Sequence, residues 1–231
     1  MLLIAGFVLV VVAVVWLVGL LLGFGVAGLI VALVVAGVGS FVAYWKSDAV
    51  TLRISHARPA DPEQYPRLHN VIEGLCVAAG LPKPRVCVID DPAPNAFATG
   101  RSPRHAAIAV TSGLLDKLNR IELEGVLAHE LSHVKSYDVL PSTIAVTLVG
   151  LPAVVVPPVF GPVMRLAVNG HRESSADVSG VALTRYPPGL ISALEKLEAE
   201  KTVVHFNSRA IAHLWIERPP LDERIKVLKE L

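Results

Sequence analysis

Several things are scarce in this chain of 231 residues. It has two cysteines, Cys76 and Cys87, too few for a disulfide scaffold or a four-thiolate metal site. Neither sign of charge is in excess, with 21 basic against 20 acidic side chains, so no nucleic-acid partner is implied. Only 18% of residues are charged, against roughly 25% in ordinary soluble domains. The shortage is local. Met1 to Trp45 carry no charge at all, and every Lys, Arg, Asp and Glu lies beyond them. With 53% hydrophobic residues and a mean hydropathy of +0.56, disorder is excluded.

A spanning helix needs about 20 apolar residues. Residues 1–45 are too long for one span and fit two, with Gly23-Phe24-Gly25 as the turn. The reading is a helical hairpin, Leu2–Leu22 and Val26–Tyr44. A cleaved signal peptide fits poorly, because no basic residue precedes a run of this length. Lys46, Arg53, Arg58 and Arg67 follow the second span, while the turn carries no charge. That places residues 46–231 at the cytoplasmic face of a multi-pass membrane protein.

In the remainder, Ser47–Pro66 reads as a polar, proline-spaced linker. Helical spacing marks Gln64–Ala79, Ser112–Leu118, Arg120–Ser136, Arg172–Thr184, Pro188–Lys201 and a helix from Leu221. Short strands are expected at Arg85–Ile89, Asn95–Thr99 and Ala106–Thr111. The fold class is therefore α+β, mainly helical with a small sheet behind the membrane hairpin. A second uncharged run, Val139–Met164, holds five prolines and is too short for the roughly 40 residues of two crossings. It is expected to be re-entrant or buried near the bilayer surface.

The chemistry lies in His129-Glu130-Leu131-Ser132-His133. Histidines at i and i+4 share a helical face, so both imidazoles reach one ion. Zinc suits such nitrogens and keeps a position for water. Glu130, between them, is placed to act as general base on that water. A third ligand is needed. Glu173 is the candidate, with Asp177 one turn on to steady a ligand from behind; His171 is its rival. Arg120, Glu122, Glu124, Lys135 and Asp138 surround the motif and set it in water rather than lipid.

Residues Pro94–Gly100, Ala109–Leu115, Glu124–His133, Asp138, Arg172-Glu173 with Ala176-Asp177, and Pro219–Ile225 together resemble the HtpX-type membrane zinc metalloproteases, relatives of the CAAX prenyl proteases. The resemblance implies a zincin-like protease domain with one Zn2+ held by His129, His133 and Glu173, and Glu130 as catalytic base. It implies protein or peptide substrates and a role in quality control of misfolded membrane proteins. Ala106–Thr111 resembles the family's edge strand, which pairs with extended substrate. Asn95 is the position for holding substrate backbone, with a turn-capping Asn as the plainer reading. Arg224 is expected to pair with Asp177 or with substrate. The family's C-terminal histidine is replaced here by Arg218, with His213 a second possible donor. The alternative is a catalytically weak or inactive membrane adaptor of the same fold.

Overall fold

The computed structural model describes residues 9, 12, 13, 16, 17, 19–139, 170–199 and 221–230. Residues 140–164 of the second uncharged run, together with Arg218 and His213, lie outside the described residues. Gly19–Leu21 are helical, and the chain turns through Gly23 at φ 82. The Gly23 amide donates to Leu20 and the Phe24 amide to Gly19, which brings Gly28 back against Gly19. A Cβ on Gly19 would stand 3.1 Å from Gly28 Cα, so only small residues allow this approach.

The helix that follows, α1 (Gly25–Ile54), has an inverted pattern. Val26, Ile30, Val31, Val34, Val38 and Phe41 are exposed, while Ser47, Thr51 and Ser55 are fully buried. Thr51 and Ser55 can be buried because their hydroxyls donate to the carbonyls of Ser47 and Thr51, at 2.8 and 2.9 Å. No helix built from fully described residues is long and apolar enough to cross a membrane.

The expected linker is thus corrected: the chain stays helical to Ile54. Nothing interrupts α1 before the left-handed His56, and the first proline, Pro59, already lies in strand β1 (Arg58–Pro59). Helix α2 (Pro66–Ala79) starts on a proline, whose missing N–H costs nothing there, and ends on left-handed Gly80.

Strands β2 (Arg85–Ile89), β3 (Ala96–Gly100) and β4 (Ala106–Thr111) complete a sheet of order β1-β2-β4-β3. β4 runs parallel to β2 and antiparallel to β3. Alternate residues face opposite layers. Cys87, Ile89, Phe97, Ala107 and Ala109 meet Leu52 of α1. Val86, Val88, Ala98, Ile108 and Val110 join the main core of α2 and the helices below. The expectation that Ala106–Thr111 is the edge strand is overturned. β4 bonds neighbours on both sides and all its residues are buried, as a strand apolar on both faces must be. The edge strand on that side is β3.

After the short helix α3 (Ser112–Lys117) comes α4 (Arg120–Lys135), which opens on a complete capping box. Asn119 Oδ1 accepts from the amides of Ile121 and Glu122, and Glu122 accepts from the Asn119 amide at 2.8 Å. The same carboxylate accepts from Ser192 and Lys196 at 2.7 Å each, tying α4 to α6 (Pro187–Ala199). Burial pulls the Glu122 carboxyl up, but the bonds from Lys196, Ser192 and the Asn119 amide outweigh it and leave it below the usual range. Its contribution to stability is therefore present above the ordinary carboxylate pKa and is lost as pH falls through the lowered folded value. Glu122→Ala removes one half of the capping box and a buried acceptor for Ser192 and Lys196, at a cost of about 2–3 kcal/mol. That corresponds to a fall in Tm of about 5–10 °C at neutral pH. Melts of both proteins should show the gap narrowing as pH is taken below 4.5.

Candidate metal centre

Helix α4 buries Leu123, Val126, Leu127, Leu131 and Val134 on its core side. This fixes the rotation that turns His129 and His133 to the flank of the helix, while Glu130, one turn from both Val126 and Val134, faces β3. On the histidine flank α4 meets α5 (Gly170–Thr184). The two backbones touch at Gly180, where a Cβ would stand 2.9 Å from the His129 nitrogen. An isolated glycine in a helical pattern is the sequence signal for such close packing, and the reading of the sequence passed over it. The contact puts Glu173 and Asp177, on the same face of α5, over the two histidines.

Three side chains converge. His129 Nε2 and His133 Nε2 are 3.2 Å apart. Glu173 Oε2 lies 3.3 Å from the first and Oε1 3.5 Å from the second. Donors held about 2.0–2.1 Å from a tetrahedral ion stand roughly 3.3 Å from one another. The spacing therefore fits one small ion. Among the described residues this is the group of His, Cys, Asp and Glu able to hold a metal. The side chain of His171 is outside the described set.

Behind the pocket, Asp177 Oδ1 lies 2.8 Å from His129 Nδ1. An Nδ1–H donated to that carboxylate leaves the Nε2 lone pair aimed at the ion position. Asp177 is held in turn by Arg224 of α7 (Leu221–Leu228), whose Nε reaches Oδ2 at 2.8 Å and whose Nη2 reaches Oδ1 at 2.5 Å. Both ends of this pair are buried.

The charge balance points the same way. Glu130, Glu173 and Asp177 supply three carboxylates to one guanidinium. Burial and the Arg224 charge disfavour a protonated His129, but its bonds to Asp177 and Glu173 overcome them and push it up to about 9. Burial opposes ionisation of Glu173 too, yet the two histidines hold it well below the usual carboxylate range. A pocket that draws protons onto imidazole in this way is short of positive charge, and a divalent cation supplies it.

Glu130 is buried beside the triad. Burial raises its proton affinity, and the two histidines and the Ala98 amide, which donates to it, counter that only in part. Since the Ala98 N–H points to α4, the outer edge of β3 runs past the centre. No sequence rule marks a backbone amide, so this contact was not legible beforehand.

The lower-ranked expectations separate. Asn95 is buried where β3 begins, and its Oδ1 accepts from the Ala96 amide at 2.8 Å. Asp138 lies past the C-terminus of α4 and accepts from Ser136 Oγ at 2.8 Å. Neither of these two bonds reaches the triad.

A model of peptidase family M48 matches residues 62–231. A protein named Protease HtpX homolog from Dictyoglomus turgidum is 38% identical, over 89% of this chain and 82% of its own length. One of the same name from Tropheryma whipplei is 39% identical, over 92% of this chain and 89% of its own.

Proposed function

The chain belongs to peptidase family M48 and is a metallopeptidase, and from that premise we propose that it is a membrane-anchored zinc endopeptidase. The observation that carries the reading is the triad of His129, His133 and Glu173, with ligand atoms at the separations a tetrahedral ion requires. Two imidazoles and one carboxylate suit zinc, and three protein ligands leave a place for water.

When bound, zinc supplies a water of lowered pKa and a Lewis acid for the scissile carbonyl. The chain's own groups do the rest. Glu130 accepts the proton of that water on its carboxylate and passes it to the departing amide nitrogen. Asp177 holds His129 in the tautomer that leaves Nε2 free, and Arg224 holds Asp177. Arg218 is the proposed oxyanion donor in place of the family's histidine. An extended substrate pairs with the outer edge of β3, whose amide at Ala98 already faces Glu130. Strand addition gives affinity without sequence, which suits misfolded membrane proteins as substrates.

The anchor is the hairpin of residues 1–45, with the catalytic domain at the cytoplasmic face. Its support is the absence of charge up to Trp45, the reversal at Gly23 and the apolar side chains that α1 turns outward. A soluble domain rarely exposes such a surface.

The test pairs metal content with cleavage. Wild-type protein in detergent should hold about one zinc per chain and cut an unfolded casein-like substrate, with cleavage stopped by a chelator. Glu173→Ala should lose at least tenfold in zinc affinity and all measurable cleavage. Full zinc retention in Glu173→Ala would remove it from the ligand set. Zinc bound without cleavage in the wild type would favour the adaptor.

A further inference from the structure

We propose that the β3–β4 turn, with the end of α1 beside it, is a second membrane contact that binds the phosphate headgroups of anionic lipids. It rests on the membrane hairpin proposed above and deepens that reading.

On the hairpin reading the uncharged part of α1, Gly25–Trp45, is the second span, and its rise of about 32 Å compares with a hydrocarbon core of about 30 Å. Trp45 then falls at the level of the headgroups, where Trp is favoured. Its ring meets that of Phe41, one helical turn deeper, in a tilted pair with centroids 6.0 Å apart. Beyond it, Lys46–Ile54 rises only about 13 Å further, and over that length Ser47, Thr51 and Leu52 are already buried. No flexible joint separates the spanning part from the domain. The catalytic domain therefore sits directly on the bilayer at a height that α1 sets.

At that height stands the turn between β3 and β4. Arg101 lies over the Trp45 ring at 4.4 Å and donates from Nη1 to the Trp45 carbonyl at 3.4 Å. The turn continues through Ser102 and a single 3-10 turn, Pro103–His105. Arg104 and His105 are exposed, and the His105 ring contacts Ser102 Oγ at 3.0 Å. Lys46 is exposed next to Trp45. Neither Trp45-Lys46 nor Gly100–His105 contains an acid, and the nearest in sequence, Asp48, is engaged by Arg85 at 2.6 Å. Lys46, Arg101 and Arg104 thus form a cationic rim around an interfacial tryptophan, the surface that an anionic bilayer attracts. Because this turn ends β3, lipid bound there would hold the substrate-facing edge at the membrane surface.

The test uses the full chain in nanodiscs of phosphatidylcholine alone or with about 30% phosphatidylglycerol, a content that sets up the negative surface potential. Hydrogen exchange of the 101–106 amides should slow about fivefold or more in the anionic discs, and raised salt should reverse this. Arg101→Gln/Arg104→Gln should abolish the difference while exchange in α4 stays as in the wild type, showing an intact fold. A chain that inserts, but whose turn exchanges alike in both lipids, overturns the lipid contact and leaves the hairpin standing. A chain that fails to enter discs overturns both. Equal protection in neutral discs by inorganic phosphate would assign a free-anion site and overturn the lipid proposal.

Discussion

Glu130→Gln should lower kcat by about three orders of magnitude while zinc content stays at that of the wild type. The substitution is nearly isosteric, so the packing beside β3 is kept, and the amide can still take part in the Ala98 contact. What it loses is the ability to take a proton. Burial makes the native carboxylate a stronger proton acceptor than an exposed glutamate, while the adjoining histidines keep it from being neutralised outright. Because it is not one of the three converging donors, its loss leaves the ligand set whole. The measurement is single-turnover cleavage of the unfolded substrate together with zinc analysis on the same preparation. Retention of more than a tenth of the wild-type rate would reject Glu130 as the base. Equal loss of zinc and activity would move it from proton transfer to metal binding.

Residues that make chemistry within one helix were easy to read, and those that depend on a neighbour were not. His129 and His133 announce themselves because i and i+4 share a face, and Glu173 with Asp177 repeats that spacing on the partner helix. The strands at Arg85–Ile89 and Ala106–Thr111 have the bounds expected of them. What composition could not give was strand order. Ala-Ala-Ile-Ala-Val-Thr is apolar at every step but one, which marks a strand covered on both faces and says nothing of its neighbours. The resemblance made it an edge, whereas pairing with β2 and β3 makes it central. The end of α1 misled for another reason. Ser47, Asp48, Thr51 and Ser55 lower the hydropathy and imitate a linker. The Thr51 and Ser55 hydroxyls bond the preceding turn, and Ser47, Thr51 and Ser55 are small enough to lie against the sheet, so this polar stripe is the buried one. Periodicity in hydrophobicity cannot detect a helix whose packing face is polar.

Arg224→Met should destabilise the protein by about 3–5 kcal/mol and weaken zinc binding by about 10- to 100-fold. Methionine fills much of the same volume, so the cost is electrostatic. The guanidinium is 2% exposed and bonds both oxygens of Asp177, itself 1% exposed. Removing it strands a buried carboxylate whose pKa is lowered by that contact and by His129 against the pull of burial. The carboxylate must then take up a proton or draw in water, and either change disturbs its bond to His129 Nδ1. The second substitution separates these effects. Asp177→Asn/Arg224→Met removes both charges, and should recover part of the stability because no unpaired ion is left buried. It should not recover the zinc affinity, since the amide is a weaker acceptor for the imidazole N–H. Thermal melts and competitive zinc titrations on the two variants read the two quantities independently. Arg224→Met with melting and affinity both unchanged would place the pair with exposed bridges worth about 0–1 kcal/mol, and α7 would then have no part in setting the metal centre.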